Sequence, residues 1–281
     1  MKNRCLVGFL LLSLFLAPPF CWGQASPTLI PTINLDLEKT FVQTYQEYLN
    51  VYDIYREDYK NYQLAKSQYE TYQTLASKTI ALERMTILLQ TRTDVLIAFT
   101  IALRHHIAET TKIASSELNL LYLQLDDQID WYREHKDTLT SAGSIPDLVK
   151  LSNEAQKRYS LLESLIYQSL LEVYTFQEDR LHQRVQDQIN AVEKKVLGLR
   201  TEGERDTSTL ERWLLEVKNR KERANEKITE ARPIKVSSKD NSRSKRNTYN
   251  RGIKLLEQSH QYLKETSLAL MEIIGEIKNE Y

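Results

Sequence analysis

Five histidines, His105, His106, His135, His182 and His260, are the side chains best placed to titrate near neutral pH. Two of them close short patterns, Asp179-x-x-His182 and Glu257-x-x-His260. On paired helices, Glu-x-x-His motifs joined by two further glutamates can hold two metal ions inside a bundle. Here one motif carries Asp for Glu, and no glutamate stands out as an inward partner. A bundle metal site therefore ranks third among the readings of this chain. His105 and His106 are adjacent, so on a helix they point about 100° apart and share no ligand face. The spacing from His105 to Glu109 suits a simple side-chain pair. The sequence has no nucleophile elbow, phosphate-cradling glycine loop, zincin motif or cysteine pair that would mark an active site. The expectation is a protein that is not an enzyme and takes no cofactor.

The more specific pattern is aromatic. Phe41, Tyr45, Tyr48, Tyr52, Tyr55, Tyr59, Tyr62, Tyr69 and Tyr72 are separated by 4, 3, 4, 3, 4, 3, 7 and 3 residues. That averages 3.5, the seam of a helix rather than the alternation of a strand. Tyrosine at a seam buries its ring while its hydroxyl reaches water or a partner. The row predicts a continuous helix with one aromatic edge, covered by another helix carrying small residues. The competing reading is an exposed aromatic strip for a partner helix or a sugar.

Those rings need long elements to carry them, and glycine and proline are scarce enough to supply only such elements. Beyond Pro31 the prolines are Pro146 and Pro233, and beyond residue 25 the glycines are Gly143, Gly198, Gly203, Gly252 and Gly275. Strands and hairpins need such punctuation far more often. The expected fold is all-α: an elongated antiparallel bundle of four to five long helices with coiled-coil character, over residues 36–281. The first helix should start near Asp36 and Glu38 and run to about residue 109, which would make it roughly 110 Å long. Breaks are expected near 110–114, at 139–146, where Gly143 and Pro146 stand, and at 198–207, around Gly198 and Gly203. Ser208 and Glu211 have the form of a capping box restarting a helix. The last helix is expected from about Asn247 to Ile277.

The amino terminus reads differently. Lys2 and Arg4 precede an apolar run from Leu6 to Ala17, Pro18-Pro19 ends it, and Gly23-Gln24-Ala25 presents small residues for cleavage. Residues 1–25 thus have the layout of a secretory signal peptide cut after Ala25, followed by an extended tether at 26–35. An exported chain follows, at the cell envelope or outside the cell, bound to membrane only if that segment is kept. No later stretch is read as long and apolar enough to span a bilayer. Cys5 and Cys21, the two cysteines, both precede the cleavage point, so no disulfide is expected in the mature chain. Formal charge is balanced, 38 basic against 38 acidic residues, which argues against nucleic acid as a partner.

One local excess stands out. The linker at 232–246, extended to residue 251, carries Arg232, Lys235, Lys239, Arg243, Lys245, Arg246 and Arg251 against one acid, Asp240. It reads as a solvated loop, or as a contact for an anionic envelope polymer, with affinity falling as salt rises. Taken together the sequence points to a structural spacer, scaffold or partner-binding rod acting through protein partners or self-association. The alternative is a helical binding module for a small ligand or glycan on a Tyr/Trp-lined surface.

Overall fold

The aromatic row is a helix with the row's own bounds. α1 spans Phe41–Tyr72, and its start is set by a reciprocal cap. Thr40 Oγ1 accepts from the Gln43 amide and Gln43 Oε1 accepts from the Thr40 amide. The computed structural model describes residues 39–111, 116–201 and 206–279, all within one unit, residues 33–281. The signal segment 1–25, the tether 26–35, the start expected at Asp36 and Glu38, Gly203 and most of the break at 110–114 lie outside the described residues.

Five further helices follow: α2 Leu75–Thr111, α3 Ser116–Leu139, α4 Ile145–Thr201, α5 Ser208–Ala231 and α6 Ser242–Asn279. There are no strands among the described residues. The count among the described residues is six rather than four to five because the first long helix is two. Gln73 takes a left-handed conformation, φ 49°, and its amide bonds Tyr69 O at 2.9 Å. Thr74 then caps α2: its Oγ1 accepts from the Ser77 amide, and Ser77 Oγ accepts from the Thr74 amide. α1 and α2 fold back on each other as a tight helical hairpin, with no glycine or proline at the turn.

α2 is the central helix of the N-terminal half, packed against α1, α3 and α4. Buried side chains run all round it from Leu88 to Leu103. It is long and apolar enough to cross a membrane by length and composition, which corrects the reading that no such stretch follows residue 25. Its apolar window is 72% buried by its neighbours, so here it serves as a core helix. The threonines in it are satisfied internally. Thr91, Thr93, Thr100 and Thr111 each donate to the carbonyl four residues back, at 3.1, 2.8, 2.7 and 2.9 Å.

Ion pairs fix the directions. Arg104–Asp126 and Lys136–Asp94 show α2 and α3 antiparallel, and Arg158–Asp127 with the Tyr132 hydroxyl donating to Ala155 O shows the same for α3 and α4. Ser144 caps α4, its Oγ accepting from the Asp147 amide. α4 then runs 57 residues without interruption, about 85 Å at 1.5 Å per residue. Gly198 falls inside it rather than at a break. Its C-terminal half joins α5 and α6 in a second core of Val185, Ile189, Val192, Leu214, Val217, Leu263, Leu270 and Ile273. α5 begins at Ser208, but the preceding Thr207 holds Glu211 through its hydroxyl at 2.9 Å, one residue earlier than the expected box. α6 begins five residues before the expected Asn247.

Candidate interaction surface

The tyrosine row meets α2 of its own chain along its first half. Rings follow one another from Phe41 to Tyr59 with centroids 5.6–6.4 Å apart. Phe41 lies 4.6 Å from His106, and Tyr48 meets Phe99 edge-on at 5.4 Å. A large ring therefore stands opposite Tyr48 where small residues were expected. Glu109 Oε1 accepts the Phe41 amide at 2.6 Å, placing a carboxylate at the positive end of α1. Cover declines along the helix: Tyr48 is 2% exposed, Tyr45, Tyr52, Tyr55, Tyr62 and Tyr69 are half-buried, Tyr59 is exposed and Tyr72 is 68% exposed.

Burial acts on these phenols. It raises Tyr45, Tyr48 and Tyr55 above the ordinary tyrosine range, with neighbouring phenols adding to it at Tyr48. Burial does the same at Tyr132 and Tyr249, and Tyr159 is pushed up to about 12. The Arg92 guanidinium opposes this at Tyr55, Tyr132 and Tyr159. Since a phenol whose pKa is raised by folding favours the native state below its unfolded value near 10, stability should fall as pH climbs through the folded values. Absorbance at 295 nm is expected to show late-ionising tyrosines whose titration coincides with loss of far-UV helicity. Complete ionisation at ordinary tyrosine pH with helicity intact would contradict the packing of Tyr48, Tyr132 and Tyr249.

The basic linker is not a free loop. Residues 232–241 lie as a strap along one edge of α4. Arg232 pairs with Asp179 at 2.6 Å and Lys235 with Glu172 at 2.9 Å. The Val236 amide donates to Gln168 Oε1, and Ser164 and Ser160 hydroxyls donate to the Ser237 and Ser238 carbonyls. Ile234 and Val236 are buried beneath it. Lys245, expected in the same solvated run, is fully buried at the start of α6. Its ammonium donates to Ser160 O at 2.5 Å and Ser160 Oγ at 2.7 Å, with Glu163 Oε2 at 3.4 Å. Ser242 Oγ donates to the same Glu163 oxygen at 2.9 Å. Lys239, Arg243, Arg246 and Arg251 remain exposed. Further on, Gly252 lets α6 approach α4; a Cβ there would stand 2.6 Å from Leu171 Cδ2.

The two histidine motifs do not combine as spaced in sequence. His260 Nδ1 lies 2.9 Å from the buried Glu178 Oε1, a residue outside both motifs. Asp179 is taken by Arg232, and Glu257 is exposed. Burial lowers the pKa of His182, as do the charges of Lys221 and Arg232, while Asp179 and Glu222 oppose them. No group of three His, Cys, Asp or Glu able to hold a metal occurs among the described residues. His135 stacks on Trp131 at 4.7 Å, and Arg158 covers the same indole at 5.3 Å. His135 also lines a water-sized cavity of about 10 Å³ with Arg92, Thr93 and Ser152.

Sequence reading missed two features. One is the pair in which the half-buried Lys136 Nζ reaches both oxygens of the buried Asp94, at 2.8 and 2.7 Å. Its signal was a lone acid inside the most apolar run of the chain. The other is the turn of the α1–α2 hairpin, which leaves Leu64, Tyr72, Leu75 and Ile80 exposed. No known family, curated protein or solved structure matches the chain.

Proposed function

We propose that this chain is an exported, non-enzymatic helical protein: a spacer, scaffold or partner-binding rod at the cell envelope or outside the cell, built as an elongated antiparallel bundle with coiled-coil character. The observation that carries the reading is α4. An uninterrupted helix of 57 residues packs against α2 and α3 in its first half, meets α6 from Ser160 onward, and shares a core with α5 and α6 in its second half. Such a helix joins two packed groups along one axis and fixes the offset of their far ends, which is what a spacer does by shape alone. The strap adds to this, because it ties the second group to the middle of α4 through ion pairs and hydrogen bonds. The Tyr/Trp-lined ligand module is the weaker reading, because the best-buried ring of the row, Tyr48, faces Phe99 of the same chain.

Two measurements on the full chain test this. Mass analysis of chain recovered after expression should find a new amino terminus at Ser26 and the protein outside the cytoplasm; an intact Met1 in an internal pool would sink the export. Small-angle scattering should give a maximum dimension no shorter than α4, about 85 Å. A turnover activity lost on substituting His182 or His260 would overturn the non-enzymatic reading.

A further inference from the structure

From the α1–α2 turn we infer that this tip docks on a lipid surface, entering the headgroup layer with Tyr72 and Leu75 foremost. The inference rests on the partner-binding reading and names the partner.

The last support for the hairpin is a cluster in which Tyr62 and Leu82 pack with Met85, Leu139, Ile145 and Leu148. Beyond Tyr62, α1 continues ten residues to Tyr72, about 15 Å. Over that length α1 and α2 touch mainly each other, through buried Ala65 and Ser77. Apolar side chains are left outside: Leu64 is 62% exposed, Tyr72 68%, Leu75 81% and Ile80 45%. Leu75 is the most exposed large apolar side chain among the described residues, and Tyr72 precedes it by three residues across the turn.

The geometry selects the occupant. Leu64 and Tyr72 point about 80° apart around α1, and Leu75 and Ile80 about 140° apart around α2. Apolar groups that face several directions from a projecting end cannot all meet one flat protein surface. A fluid layer that wraps the end meets them all. A second copy is disfavoured by area as well, since four side chains fall short of the roughly 800 Å² per partner of a stable protein interface. The chemistry of the tip fits an interface between water and hydrocarbon. Tyrosine is enriched at that level of a bilayer. Between Tyr62 and Leu82 the hairpin carries Lys66 and Lys78 against Glu70, a net positive charge that suits headgroup phosphates.

The turn satisfies part of its own backbone. The Gln73 amide is held by Tyr69 O, the Thr74 amide by Ser77 Oγ, the Ser77 amide by Thr74 Oγ1 and the Lys78 amide by Thr74 O. Backbone satisfied in this way loses little on leaving water.

The test uses the full chain and vesicles of phosphatidylcholine with a minority of phosphatidylglycerol. Co-sedimentation is expected to weaken about ten-fold or more in Leu75→Glu combined with Ile80→Glu. Met271→Glu, on an exposed face of α6, is expected to bind like the parent. Both variants are surface changes, and their helicity is checked by circular dichroism. Tyr72→Trp is expected to be quenched by acyl-chain-brominated lipid beyond any quenching of the parent. Equal binding by the tip variant and the parent, or no added quenching at position 72, overturns the inference. So does a dimer in the parent that the tip variant abolishes, which would assign the tip to a second copy. A chain that ignores vesicles but still holds a protein partner would remove this inference and leave the spacer reading standing.

Discussion

Glu163→Ala is expected to lower the unfolding free energy by about 3–5 kcal/mol, the cost of leaving a buried charge without its counter-ion. Among the described residues, Glu163 is the one carboxylate paired with the fully buried Lys245 ammonium, whose other contacts are the oxygens of Ser160. The interaction spans α4 and the first turn of α6, so its loss also loosens the strap that precedes Ser242. The reciprocal change Lys245→Met leaves Glu163 with Ser242 Oγ and should cost less. The pair Glu163→Met with Lys245→Met should recover most of the loss, because apolar side chains of similar volume often replace a buried ion pair at little cost. Urea denaturation of the four proteins gives the coupling directly. A single variant within about 1 kcal/mol of the parent would mean that water reaches Lys245.

Lys136→Met tests the second buried charge, with a loss of similar size and an opposite remedy. Asp94 is buried on the central helix, and burial holds its carboxyl above the usual range even though the Lys136 hydrogen bond and charge pull it down. A carboxyl whose folded pKa lies above its unfolded value contributes stability below the unfolded value, and that stability is lost as pH rises through the folded one. Removing Lys136 removes the opposing pull and widens that window. The variant should therefore lose about 3–5 kcal/mol at neutral pH. The gap to the parent should narrow as pH falls towards the ordinary aspartate range. Thermal melts of both proteins across pH 4 to 7 measure the difference. A gap that stays constant with pH would show that Asp94 does not carry the effect.

Some of this architecture was legible in the residues. The aromatic spacing marked α1 from Phe41 to Tyr72, and the scarcity of glycine and proline marked the fold class. The turn at Gln73-Thr74 was not legible by the same means, because it uses neither residue. Its signal was Thr74 three residues before Ser77, a cap in which each hydroxyl serves the other's amide. Charge counting also misled at the strap. Seven cations in a serine-rich stretch resemble a solvated loop, yet Ile234 and Val236 bury beneath it and Lys245 turns inward. Acceptors on another helix decided that outcome: Asp179, Glu172, Gln168, Ser164 and Ser160 line one edge of α4. Local composition carries no information about an edge supplied from some seventy residues away. The exposed tip was missed for a related reason. Leu64, Leu75 and Ile80 are ordinary helix residues, and only the end of support at Tyr62 and Leu82 makes them conspicuous.

The order of packing has a consequence for how the chain reaches its native state. Each helix from α1 to α6 contacts the one next to it in sequence, and the remaining contacts skip a single helix. Few loops must therefore close over long stretches, and chains of that topology fold fast for their size. The hairpin of α1 and α2 can form as soon as both are synthesised, giving nascent α3 a surface to join before the carboxyl-terminal half exists.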